Sequence, residues 1–240
     1  MNNMKSEVPQ KLFKYKSLEP RCAIDQVLDI INNERIYMPS YSELNDPAEG
    51  MAHYINLGIP GTGIHYSMGE LHPLALSFVD SYGILSLTDN PRNFQMWAQY
   101  AGHYNGVCFE FSTKYFKRDI KRVNYISSVL HEEIEPDEVD NVIEESLLYK
   151  YEDWKHESEY RIFRKEQKYY LLSDSIKSVF VGNKVSEINL CLIIAAAKKR
   201  GIGVYIAHPC GVKYTTSFIP YNIYRQGYGD YSIADVEYNP

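Results

Sequence analysis

Residues 83–111 run GILSLTDNPRNFQMWAQYAGHYNGVCFEF. Gly83 to Leu87 is apolar, β-rich and short, which predicts a strand. Asp89-Asn90-Pro91 is a turn. Phe94, Trp97, Ala98 and Ala101 then recur at the spacing of one helix face. Gly106 breaks that helix, and Val107, Phe109 and Phe111 alternate as a second strand. A strand, a short helix and a strand within these 29 residues predict mixed α and β structure.

The pattern continues on both sides. Leu12 to Lys16 predicts a short strand. Pro20 can open a helix whose buried stripe is Ala23, Ile24, Val27, Leu28 and Ile31, ended by Asn32-Asn33. Arg35 to Met38 follows as a strand, and residues 56–73 read as a long loop or lid. His131 to Glu145 is acidic, with Pro136 opening a solvated helix. Ile176 to Val181, Gly203 to Ala207 and Tyr214 to Ile219 are strands. Ser186 caps a helix between the first two of these, and Gly201 ends it. No repeat or linker divides the chain. The expectation is an α+β fold in one domain over residues 1–240, with residues 1–10 frayed.

Composition narrows the class. With 240 residues, 45% hydrophobic and 23% charged, the chain has ordinary globular usage. A net charge of −6 disfavours a general nucleic-acid coat. The four cysteines, at positions 22, 108, 191 and 210, form no C-x-x-C pair, and Cys108 and Cys191 read as buried thiols in apolar runs. That usage, with no signal-peptide pattern, points to the cytoplasm. The longest apolar run, near Leu190 to Ala197, is too short to span a bilayer, so no membrane is expected. Twenty-two tyrosines suit a half-buried β surface.

Several familiar chemistries find no residues. Gly58-Ile-Pro-Gly-Thr-Gly lacks the Gly-Lys-Ser/Thr ending of a phosphate loop. No H-E-x-x-H occurs among the seven histidines, so no catalytic metal is expected. There is no G-x-S-x-G elbow.

Three segments remain. The first is Phe13-Lys14-Tyr15-Lys16, with Asn45-Asp46-Pro47-Ala48-Glu49-Gly50 downstream. The second is Gly83 to Asp89 with Trp97 to Tyr100 and Gly106 to Phe111. The third is Trp154 with Glu157-Ser158-Glu159-Tyr160-Arg161-Ile162-Phe163. Their order, from about Leu12 to Gly182, resembles the bacterial family named domain of unknown function 2971. It also resembles, more distantly, the three strand motifs of ADP-ribosyltransferases. That second resemblance implies a split, twisted mixed or antiparallel sheet with flanking helices, and cleavage of the nicotinamide–ribose bond of NAD. It implies Glu159 as the catalytic carboxylate, Glu157 as the acceptor-side carboxylate and Ser86 as the second-motif hydroxyl. Thr88 is the alternative hydroxyl and a cofactor contact. Tyr15 stands where the family carries His, and Lys14, Lys16, Asn45 and Asp46 complete the NAD-binding candidates. The implied acceptor is a protein, a nucleic acid or water, in a toxin or phage-defence setting. The first strand departs from the pattern by carrying neither Arg nor His.

The glutamates carry a chemical argument of their own. In a strand, Glu157 and Glu159 would project to one face. Carboxylates stabilise the oxocarbenium-like state through which a glycosidic bond breaks, and one of a pair can align the attacking group. The plainer reading is a set of exposed ion pairs with Arg161 and Arg164. For Asn45-Asp46-Pro47 the plainer reading is a turn. Two other functions stay open. One is a non-enzymatic recognition domain with a Tyr-rich surface. The other is a metal-dependent nuclease using Asp46, Glu157 and Glu159.

Overall fold

The computed structural model describes residues 8–19, 23–46, 53–58, 65–66, 79–128, 130–134, 145–226 and 238. In chain order they form β1 (Lys11–Ser17), α1 (Ala23–Asn33), β2 (Arg35–Tyr37), β3 (His53–Gly58), β4 (His65–Tyr66) and β5 (Tyr82–Thr88). Next come α2 (Phe94–Gln99), β6 (Gly106–Ser112), β7 (Lys121–Arg122), β8 (Asn124–Ile126), β9 (Leu130–Ile134) and β10 (Tyr149–Tyr151). The last are β11 (Glu159–Lys165), β12 (Tyr169–Leu171), β13 (Ile176–Gly182), α3 (Glu187–Arg200), β14 (Gly203–Cys210), β15 (Thr215–Pro220) and α4 (Tyr221–Arg225). This is mixed α and β structure with few helices, consistent with the α+β class. The chain packs as two compact units.

The first unit takes Met1–Ile36, Thr88–Lys117 and Leu171–Pro240. Its strands run in the order β15-β14-β13-β6-β1. β6 lies antiparallel to both β1 and β13, with Tyr15 opposite Cys108 and Phe109 opposite Val179. Gly106 to Phe111 are all buried, so β6 is a two-sided core strand. β13 and β14 are parallel, which requires a crossover, and α3 supplies it. Its ends follow the sequence: the Ser186 hydroxyl accepts the Asn189 N–H at 3.3 Å, and Gly201 adopts φ +67°. α1 packs on α3.

On this sheet Phe13, Tyr15, Trp97, Tyr104, Cys108, Phe180 and Phe218 form one buried cluster. Trp97 stacks on Tyr104, with centroids 5.0 Å apart, and its indole N–H donates to the Pro91 carbonyl at 2.8 Å. Asn93 caps α2 by accepting the Gln95 N–H at 2.7 Å. Gly182 passes so close to Tyr104 that an added Cβ would lie 2.1 Å from the Tyr104 carbonyl oxygen, so only glycine fits there.

The second unit takes Tyr37–Leu87 and Arg118–Tyr170. Here β5, β11 and β7 are successive neighbours, with β7 antiparallel to β11. β8 and β10 form a parallel ribbon in which Lys150 lies opposite Tyr125. β3 pairs antiparallel with β4 and parallel with β9.

Two expectations change. Cys108 is buried, but Cys191 is exposed, as are Ile188 and Leu192 on the same helix. Strands β3 and β4 enter the stretch read as a long loop, residues 56–73. The helix expected after Pro136 lies outside the described residues, apart from its end at Glu145.

Candidate functional site

The second unit holds a buried network of charge around β11. The run Glu159 to Phe163 is buried residue by residue, so polar and apolar side chains are enclosed on both faces of the strand. Arg161 lies two residues from Glu159 and so on the same face. Its Nε donates to Glu159 Oε1 at 2.7 Å and its Nη2 to Oε2 at 3.0 Å, a two-point grip. A third guanidinium nitrogen, Nη1, donates to the Leu147 carbonyl. Arg161 is 1% exposed.

Glu157 does not belong to that strand. It ends a 3₁₀ helix, Glu152–Glu157, and Ser158 then takes φ +46° and ψ +55° before β11 begins. The sequence reading placed both glutamates on one strand face. The left-handed residue between them reverses the chain instead, yet both carboxylates still meet one ammonium. Lys150 Nζ lies 2.6 Å from Glu157 Oε2 and 3.1 Å from Glu159 Oε2. The three side chains are buried, and Lys150 Nζ stands 5.0 Å over the Trp154 ring. Two carboxylates and two cations balance formally.

These contacts overturn the plainer reading of exposed pairs for Arg161. Arg164 is part-exposed, but it pairs with Asp119 and not with either glutamate. Buried charge is stable only with partners, and Glu159 has three donors for roughly four lone-pair positions. Two come from Arg161 and one from Lys150, and Ser86 on β5 lies near. Burial pushes the Glu159 pKa up. The charges of Arg161 and Lys150, with the Arg161 hydrogen bonds and the nearby Ser86 hydroxyl, outweigh that and hold it down at about 2. Tyr125 braces the strand entry: its hydroxyl oxygen accepts the Glu159 N–H at 2.8 Å. Burial, first of all, raises its pKa well above the usual phenol.

Ser86, Glu157 and Glu159 therefore come together in one network, with Ser86 its half-buried member. The remaining candidates stand elsewhere. Tyr15 is enclosed in the first unit's core, edge-on to Trp97, and its hydroxyl donates to the Asn90 carbonyl at 2.9 Å. Lys14 and Lys16, on either side of it, are part-buried on β1. Thr88 is buried, and its hydroxyl oxygen accepts the Asn90 N–H at 3.1 Å. Asn45 is exposed and Asp46 buried in the second unit, while Pro47 to Gly50 lie outside the described residues.

Sequence reasoning missed Lys150 and Tyr125 altogether. The signal available was weak: Lys150 lies between two tyrosines in Tyr149-Lys150-Tyr151, where alternation alone puts it on a face of its own. Among the described residues no group of three His, Cys, Asp or Glu side chains is arranged to hold a metal ion. The gap between Glu157 and Glu159 is filled by the Lys150 ammonium. Among the described residues no helix is long and apolar enough to cross a membrane.

No curated protein and no solved structure matches the chain significantly. Residues 96–162, the span that carries Tyr125, Lys150, Glu157, Glu159 and Arg161, match the family described as Protein of unknown function (DUF2971).

Proposed function

We propose that the chain is an ADP-ribosyltransferase-like enzyme that breaks the nicotinamide–ribose bond of NAD and passes the ribosyl group to a protein, a nucleic acid or water. One observation carries this reading. Glu157 and Glu159, the two carboxylates of the third motif, converge on the Lys150 ammonium at 2.6 and 3.1 Å, and Ser86, from the second motif, lies near enough to Glu159 to help hold its pKa down. Glu159 is held ionised far below neutral pH, as a group that stabilises a cationic sugar must be. On this reading the Ser86 hydroxyl orients a ribose hydroxyl onto the Glu159 carboxylate. The bond to nicotinamide breaks with its electron pair leaving on the pyridine nitrogen. The positive charge that develops on the ribose then faces a fixed anion. Glu157, tied to Lys150, aligns the acceptor, whose oxygen or nitrogen bonds the anomeric carbon while its proton passes to solvent. The test is nicotinamide release from NAD in the presence of a chelator, by the native chain and by Ser86→Ala.

A second reading, a non-enzymatic recognition domain, is favoured by the saturation of Glu159. A carboxylate with three charged-group hydrogen bonds and 4% exposure serves as a structural staple without further chemistry. The exposed tyrosines, Tyr115 and Tyr214 among them, would then supply the binding surface.

A further inference from the structure

Tyr238 is held in the first unit as a ligand is held. Its ring stacks on Tyr205, with centroids 4.2 Å apart and planes at 28°, and lies 6.0 Å from Phe180. The hydroxyl donates to Glu110 Oε2 at 3.2 Å. Glu110 is a β6 carboxylate only 1% exposed, and its other oxygen pairs with Lys11 Nζ at 3.0 Å. The same ammonium stands 5.8 Å over the Tyr238 ring. Both backbone groups are met as well. The Tyr238 N–H donates to the Phe218 carbonyl at 2.8 Å, and its carbonyl accepts from Arg92 Nη2 at 2.8 Å.

The receiving surface is built without Tyr238. Phe180 and Tyr205 come from the neighbouring strands β13 and β14. Glu110 comes from β6, and the Phe218 carbonyl from β15, which ends the strand order of this unit. Arg92 is fixed independently: its Nη1 donates to the Thr216 carbonyl, its own carbonyl accepts the Thr216 N–H at 3.2 Å, and its guanidinium lies 4.7 Å over Phe218. A strand carbonyl that takes a main-chain N–H, an aromatic floor and a buried acceptor are parts by which a sheet can hold a peptide.

We propose that this surface is a tyrosyl-binding site for an extended peptide segment, filled in cis by Tyr238 of the same chain, which acts as a displaceable latch. Specificity for tyrosine over phenylalanine comes from Glu110, because only a phenol supplies a donor to that buried carboxylate. Occupation in cis rests on tethering, which gives a linked segment an effective concentration of about millimolar. A free segment of the same sequence therefore binds well only when the latch is removed.

The experiment uses the full chain and a fluorescent peptide of residues 231–240. Tyr238→Ala is expected to bind the peptide at least about tenfold more tightly than the native chain, whose site is occupied. In the peptide, Tyr238→Phe should weaken binding several-fold and Tyr238→Ala should abolish it. Equal binding by the native and Tyr238→Ala chains overturns the proposal, as does a folded Tyr238→Ala chain that binds no peptide. Should Tyr238→Ala fail to fold, Tyr238→Phe decides. It keeps the ring and loses the Glu110 contact, so it should bind the peptide several-fold more tightly than the native chain, and equal binding overturns the proposal.

Discussion

Lys150 Nζ lies 2.6 Å from Glu157 Oε2, with both side chains almost wholly removed from solvent. An ammonium so placed cancels two carboxylates at once, because Glu159 is its second partner at 3.1 Å. Removing one member of such a set leaves an uncompensated buried charge, which costs far more than an exposed pair. Lys150→Met keeps most of the volume and deletes the charge. It should lower stability by about 3–5 kcal/mol in urea denaturation at pH 7. The loss should shrink in acid, where the stranded carboxylates take up protons. A midpoint unchanged by the substitution would show that the pair contributes little.

Glu159 sets an acid limit on stability. Its pKa is about 2 in the folded chain against an ordinary 4.5. A depressed carboxylate contributes stability that is complete above the ordinary value and lost as the pH falls towards the folded one. The window is therefore about pH 4.5 down to 2, and the contribution is on the order of 3 kcal/mol. Melting curves of the native chain and Glu159→Gln should lie far apart at pH 7 and converge across that window. Parallel curves would remove Glu159 from the account.

Much of the scaffold is legible from local pattern. The alternation of Val107, Phe109 and Phe111 marks β6, and Ser186 with Gly201 brackets α3, because caps and periodicity are local properties. The charge network is not legible in the same way. Glu-Ser-Glu-Tyr-Arg looks like the alternation of a half-exposed strand, and only the enclosure of both faces of β11 turns Glu159 and Arg161 inward. Lys150 reaches the glutamates because β10 pairs with β8, a contact between segments that local pattern cannot assign. Ser158 takes a left-handed turn without a glycine to announce it.

Tyr15 tests the first motif. Its hydroxyl donates to the Asn90 carbonyl inside the first unit, and burial, its main cause, raises its pKa well above the usual phenol. Tyr15→Phe keeps the edge-on contact with Trp97 and strands that carbonyl. The expected cost is about 1 kcal/mol, read from denaturant midpoints at constant slope. A variant as stable as the native chain would show that this hydrogen bond is not needed for packing.

The proposed chemistry is best probed at Ser86, because Glu159 cannot be changed without disturbing a buried charge network. Ser86 is half-buried and carries none of the charge of the network, so Ser86→Ala should cost only about 1 kcal/mol. The decisive measurement is nicotinamide released from NAD by the folded native chain with a chelator present, beside Ser86→Ala and with a melting curve for each. The account predicts release by the native chain and at least about a tenfold loss in the variant, with both proteins folded at the assay temperature. No release by the folded native chain, with or without a protein or nucleic-acid acceptor, would contradict it and leave the network a structural staple.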